Sequence, residues 1–267
     1  MLSSLAPARR RLVAALGAVA LLAAAGIAIA LVRHAGAADV RPVSQATPGP
    51  MILVPGYGGS TDALAQLAVV LRARGKTVEV FHLLGDGRGD LDAQAQALGA
   101  AATRLRAKAH AESVDVIGYS AGGVVVRLWV RSYGGDSVAR RVITLGSPHH
   151  GTDLAGAAGS LLPGACPPAC QQLEPDSTLL ADLNDGDETP RGPTFVSIWT
   201  THDDVVVPPS SAQLDGALNL TVQSVCATDP VNHGGLPRDT TVQSMLLREL
   251  AAGPPVRLGR GDCRLSS

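Results

Sequence analysis

Lysine is almost missing from this chain. Lys76 and Lys108 are the only two among 22 basic residues, and charged residues make up only 17% of the sequence. The net charge is −1 and the body has no long run of one sign, so no clustered basic face is available for nucleic acid, and none is expected as a partner. Aromatic residues amount to 3%, which leaves any core to be built from aliphatic side chains. Cysteine is limited to Cys166, Cys170, Cys226 and Cys263. The CPPAC stretch has no second ligand pair at zinc-finger spacing, and Asp86 with Asp90 is too small a set for calcium, so no metal is expected. No internal repeat is present. What is plentiful is apolar residue, 46% of 267, enough for one substantial core and one domain.

The first 37 residues stand apart. Arg9, Arg10 and Arg11 precede a charge-free run from Leu12 to Val32, followed by Ala35-Gly36-Ala37. A basic start, an apolar middle and a small-residue site describe a secretory signal peptide. The run is also long enough to span a bilayer, so an uncleaved anchor through residues 12–32 competes with it. Both readings place the body outside the cytoplasm, secreted or held on the outer face of the cytoplasmic membrane. Cleavage after Ala37 would remove four arginines and no acids, leaving 18 basic against 23 acidic side chains, or −5. Four cysteines in an oxidising compartment suggest two disulfides. Three pairings are open, and the short CPPAC loop favours Cys166–Cys170, leaving Cys226–Cys263 to tie down the tail.

Residues 38–50 are polar and Pro-rich and read as a linker to a domain over 51–267. Within that domain short apolar runs alternate with helical patterns. Strands are expected at 51–54, 77–83, 114–119, 141–145, 195–200 and 218–223. Helices are expected from a Ser60 or Thr61 cap to Arg74, over 90–109, 122–132 and 240–250, with a shorter one at 177–183. Strands alternating with helices of this length predict an α/β fold: a mostly parallel sheet of about six strands, covered by helices on both faces. Residues 152–193 break the rhythm with Gly, Pro, Asp and Asn, and read as a lid-like insertion or pocket wall.

The chemistry centres on VDVIGYSAGGVVVRLWV, Val114 to Val130. Its GYSAG matches G-x-S-x-G between an apolar strand and an amphipathic helix, the setting of a nucleophile elbow. The turn is so tight that Gly118 and Gly122 must be small, which leaves Ser120 projecting above the sheet. A serine nucleophile needs a base and a carboxylate to orient it, in the order Ser, Asp, His on this fold. Asp203 and Asp204 follow the fifth strand, and His233 follows the sixth in a Gly-rich loop. His149 and His150 precede any suitable acid and read as pocket wall or structure, His202 shares the acid's loop, and His82, His110 and His34 lie elsewhere. His233 is therefore the base by elimination, with both acids open. The oxyanion of acyl transfer needs backbone donors. The amide of Ala121 and, from VPGYGGS, that of Tyr57 are the candidates. Arg88-Gly89-Asp90 reads as a chance tripeptide.

Four blocks in order, LVPGYGGS, VIGYSAGGVVVR, TLGSPHHGTDLA and the pair WTTHDDVVVPP with VNHGGLP, resemble the small secreted triacylglycerol lipases and esterases of the α/β-hydrolase superfamily, the lipase class 2 type. The resemblance spans Leu53 to Pro237. It implies Ser120 as nucleophile, His233 as base, Tyr57 and Ala121 as oxyanion donors, and Asp203 ahead of Asp204 as acid. It also supports Cys226–Cys263, because similar lipases bond a cysteine before the histidine to the tail. PGYG departs from the HGxG of many relatives, and 152–193 matches only in outline.

The function expected is a secreted, monomeric serine hydrolase acting on lipid or ester substrates without cofactor, foremost a triacylglycerol lipase. A short-chain esterase, a polyester hydrolase or an envelope acyltransferase would use the same residues. A non-catalytic binding protein on the same fold is the remaining alternative.

Overall fold

Residues 40–161 and 166–266 are described by the structure, a computed structural model. The segment 1–37, expected to direct export, and its apolar run at 12–32 lie outside the described residues. Among the described residues no helix is long and apolar enough to cross a membrane.

Apolar runs of β-branched and aliphatic residues, buried on both faces, favour parallel strands flanked by helices. Six such strands are found among the described residues: β1 (Met51–Val54), β2 (Val78–Val80), β3 (Val114–Tyr119), β4 (Ala139–Leu145), β5 (Thr194–Trp199) and β6 (Leu218–Thr221). They form one sheet in the order β2-β1-β3-β4-β5-β6, every neighbouring pair parallel. β2 is shorter than its pattern predicts, and β6 turns into a short helix (Val222–Val225) where a longer strand is expected.

Helices α1 (Asp62–Ala73) and α2 (Leu91–Ala109) follow β1 and β2, and α3 (Ala121–Ser132) follows β3. Thr61 occupies the N-cap of α1 but makes no side-chain cap bond, whereas Asp90 caps α2 by accepting from the Asp92 amide. The alternation of strand residues divides the core in two. Ile52, Val54, Val116 and Val142 pack with α2 and α3. Met51, Leu53, Ile117 and Ile143 pack with α1 and with the closing helix Thr240–Glu249.

Among its described residues the insertion contains three helices, α4 (Asp153–Leu161), α5 (Pro168–Gln172) and α6 (Thr178–Asn184). Ala169, Leu173, Leu180 and Leu183 are buried in the core cluster around α2 and α3, so the later half is a packed wall. Arg127 of α3 secures it, donating to the carbonyls of Leu183 and Glu188. The structure joins Cys166 to Cys170 and Cys226 to Cys263.

At the N-terminal edge of the sheet, Asp115 and Arg140 form a fully buried bidentate pair, both contacts 2.7 Å. Arg140 also donates to the carbonyls of Gln45, Leu250 and Ala251, so one side chain joins the stretch before β1 to the closing helix. Burial pushes the Asp115 carboxyl up although Arg140 opposes it. Removing one partner leaves an uncompensated buried charge. Asp115→Ala is expected to cost about 3 kcal/mol and lower Tm by roughly 6–12 °C, read by calorimetry. An unchanged Tm would contradict this account.

Candidate active site

In an open parallel sheet, ligands bind outside the carboxyl ends of the strands where the strand order reverses. Here the reversal lies between β1 and β3, and Ser120 stands at the end of β3. Its backbone has φ 54° and ψ −129°, a region that residues with a Cβ seldom occupy. Its amide donates to the Leu145 carbonyl at 2.8 Å, which pins the turn to β4. A Cβ at Gly118 would stand 2.5 Å from the Gly123 Cα, and one at Gly122 would stand 2.4 Å from the Val54 carbonyl oxygen. Gly118 is thus required by contact across the turn, and Gly122 by the close approach of the end of β1.

His233 comes from the loop after β6 and is buried, as is Asp203 from the loop after β5. His233 Nε2 lies 3.0 Å from Ser120 Oγ, and Nδ1 lies 2.8 Å from Asp203 Oδ2. Asp203 Oδ1 accepts from the amides of Val205 and Val206 at 3.0 and 2.7 Å, so the carboxylate is held from its other side. With the Nδ1 proton donated to Asp203, Nε2 is the acceptor for the serine hydroxyl. Asp204 faces away and accepts from the Asn232 side chain at 3.1 Å. The adjacent acids therefore make parallel bridges to the adjacent pair Asn232-His233.

The loop bearing Tyr57 runs against the serine, since a Cβ at Gly56 would stand 2.8 Å from the Ser120 Cβ. The Gly58 amide donates to the Gly87 carbonyl at 3.2 Å, and the Arg88 guanidinium lies over the Tyr57 ring, 5.7 Å from its centroid. Gly87 and Arg88, the latter the first residue of the Arg-Gly-Asp tripeptide, in this way brace the Tyr57 loop. Ala121 is the first residue of α3, where a helix amide has no intrahelical partner.

His149 and His150 lie off the serine. His149 is fully buried, with Nε2 3.1 Å from the Thr144 hydroxyl. Burial, and then the nearby Arg127 and His150, hold its pKa well below the usual imidazole range. His150 pairs with Glu188 at 2.8 Å. A His kept neutral in the fold takes up a proton on unfolding, so its stability contribution is present above about pH 6.5 and is lost as pH falls below it. Stability is expected to fall with a slope approaching 1.4 kcal/mol per pH unit below about pH 6.5, and His149→Gln should flatten it. Urea unfolding between pH 7.5 and 5.5 measures this, and an equal slope in the variant would contradict it. His202 is exposed on the acid loop, His82 lies two residues beyond β2, and His110 is the C-cap of α2.

Two contributors escape sequence reasoning. Gly146, at φ 53°, lies under the acid–base contact. A Cβ there would stand 3.1 Å from Asp203 Oδ2 and 3.2 Å from His233 Nδ1. Its only sequence signal is a glycine directly after a buried strand. Asn232 is the other, legible only as the neighbour of the histidine. Among the described residues no cluster of His, Cys, Asp and Glu is arranged to hold a metal ion.

Solved structures share the architecture. Lipase B of Aspergillus fumigatus superposes with a TM-score of 0.68 at 19% identity, covering 82% of this chain and 60% of that one. Mature lipase BlEst2 of Bacillus licheniformis gives 0.56 at 20%, covering 69% and 86%. A thermophilic esterase of Thermogutta terrifontis gives 0.52 at 14%, covering 76% and 91%. At such identities the likeness is one of fold, and the fold is that of the α/β-hydrolases. This chain spans 60% of the length of the Aspergillus enzyme. No curated protein matches it in sequence. A family model described as palmitoyl protein thioesterase matches residues 50–183, half of the chain, including the Tyr57 loop and Ser120, and the chain belongs to that family.

Proposed function

We propose that this protein is an exported serine hydrolase that cleaves carboxylic esters of acyl lipids, triacylglycerol foremost, through an acyl-enzyme. The observation that carries the reading is the continuous chain Ser120–His233–Asp203, with contacts of 3.0 and 2.8 Å at the end of β3. Ser120 Oγ attacks the ester carbonyl carbon while its proton passes to His233 Nε2. Asp203 stabilises the imidazolium that forms and keeps its Nδ1 proton in place. The carbonyl oxygen becomes an oxyanion held by the amides of Ala121 and Tyr57. As the C–O bond breaks, the alcohol leaves with the proton from Nε2. Water then enters, His233 takes its proton, and the acid is released with Ser120 restored.

A second reading, hydrolysis of palmitoyl thioesters, is favoured by the family match at 50–183. The same residues serve it, with a thiol as leaving group. The test is hydrolysis by residues 38–267, disulfides intact, of p-nitrophenyl esters of graded chain length, emulsified triacylglycerol and a palmitoyl thioester. Turnover of the long-chain esters and the emulsion is expected. Turnover of the thioester alone would replace the first reading with the second. A folded protein that hydrolyses none of them and fails to react with a serine-directed phosphonate would sink both.

A further inference from the structure

We propose that Tyr119, the residue directly before Ser120, is a positioning residue for His233, fixing the main chain and ring of the base relative to the nucleophile. This rests on the reading of Ser120 and His233 given above. The Tyr119 hydroxyl donates to the His233 carbonyl at 3.2 Å. The same carbonyl accepts from the Leu236 amide at 3.3 Å, so both of its lone pairs are used. The rings of Tyr119 and His233 lie 5.3 Å apart at 32°. One side chain therefore holds the base at two points, by its backbone and by its imidazole face.

The covalent geometry gives this contact its consequence. Tyr119 and Ser120 are joined by one peptide bond, and that bond ends β3, the strand between β1 and β4. The loop carrying His233 follows β6, at the far edge of the sheet. Its register to the serine depends on bonds that cross between loops, and Tyr119 supplies the one that starts next to the nucleophile. A phenylalanine would fill the same apolar space, whereas a half-buried hydroxyl is costly unless it is bonded. Burial, and then the nearby Asp203 charge, push its pKa up to about 12, so it remains a neutral donor and adds no charge beside the imidazolium. Catalytic groups must hold their geometry to within about half an ångström, and a misplacement of about 1 Å can cost roughly 100-fold.

The experiment compares wild type, Tyr119→Phe, Tyr119→Leu and Tyr133→Phe. Tyr133 lies away from the site, where its hydroxyl contacts Asp92, and serves as the control for losing a tyrosine hydroxyl bond. kcat and KM are measured on p-nitrophenyl butyrate, with Tm and the downfield proton resonance of His233 Nδ1–H against Asp203. Tyr119→Phe is expected to lose roughly 5- to 50-fold in kcat with KM within about twofold, and to weaken or broaden that resonance. Tyr119→Leu should lose more, and Tyr133→Phe should behave as wild type. Wild-type kcat and an unchanged resonance in Tyr119→Phe would overturn the proposal, as would an equal loss in Tyr133→Phe. A wild type that neither hydrolyses esters nor reacts with a phosphonate would sink the hydrolase reading instead. The resonance in wild type against Tyr119→Phe would still decide whether the tyrosine sets the base.

Discussion

Replacing Ser120 with alanine is expected to lower kcat on p-nitrophenyl esters by roughly 10⁴- to 10⁶-fold while leaving the fold intact. The size follows from what remains. In the proposed mechanism the amides of Tyr57 and Ala121 would still polarise a bound carbonyl, but without the Ser120 hydroxyl the acyl-enzyme would not form. His233→Ala should cost a similar factor, and the double variant should be little worse than either single one, because the residues act as a unit. Phosphonate labelling of wild type must disappear in Ser120→Ala. Full activity in that variant would remove Ser120 from the chemistry. Alanine keeps the Cβ that strains φ 54°, so Tm should not rise in Ser120→Ala. Ser120→Gly relieves the strain and should be about 1 kcal/mol more stable than the alanine variant, equally inactive, as read by urea unfolding.

The parts of the molecule that the sequence exposes are those in which one local requirement dominates. MILV and VDVIGY can only be buried strands, because runs so apolar and short have no other use in a chain with long amphipathic helices. The elbow is legible because its glycines sit at a fixed spacing around the serine, although Gly118 answers the start of α3 while Gly122 answers the end of β1. Ser120, Asp203 and His233 were readable as an order along the chain, and the structure brings the three side chains together from β3 and the loops after β5 and β6. What stays hidden depends on residues far apart. The brace of Arg88 on Tyr57 joins two loops that the tripeptide alone does not connect. Gly146 looks like any turn glycine until Asp203 and His233 are placed over it. The insertion reads as irregular because its helices are short, and its packing rests on Arg127, a buried cation that pattern alone assigns to a surface.

The adjacent acids give the sharpest contrast, because chemistry and geometry separate them where sequence cannot. Asp203→Asn is expected to lower kcat by about 10⁴-fold. The amide oxygen can keep the contacts from Val205 and Val206, but that leaves its NH₂ facing His233 Nδ1. A donor there forces the Nδ1 nitrogen to accept, moves the ring proton to Nε2, and presents Ser120 with a donor where it needs an acceptor. Asp204→Asn removes a charge of the same sign from the neighbouring position. Yet Asp204 touches the Asn232 side chain rather than the imidazole, and an asparagine oxygen there can accept the same bond. Its cost should stay below about tenfold, the loss expected when an exposed charge near an imidazolium is removed and the geometry persists. Measuring kcat/KM for both variants on one short-chain ester decides the matter. A larger loss in Asp204→Asn than in Asp203→Asn would require the loop after β5 to turn by one residue during the reaction. The bonds from Asp203 Oδ1 to two successive amides oppose such a turn.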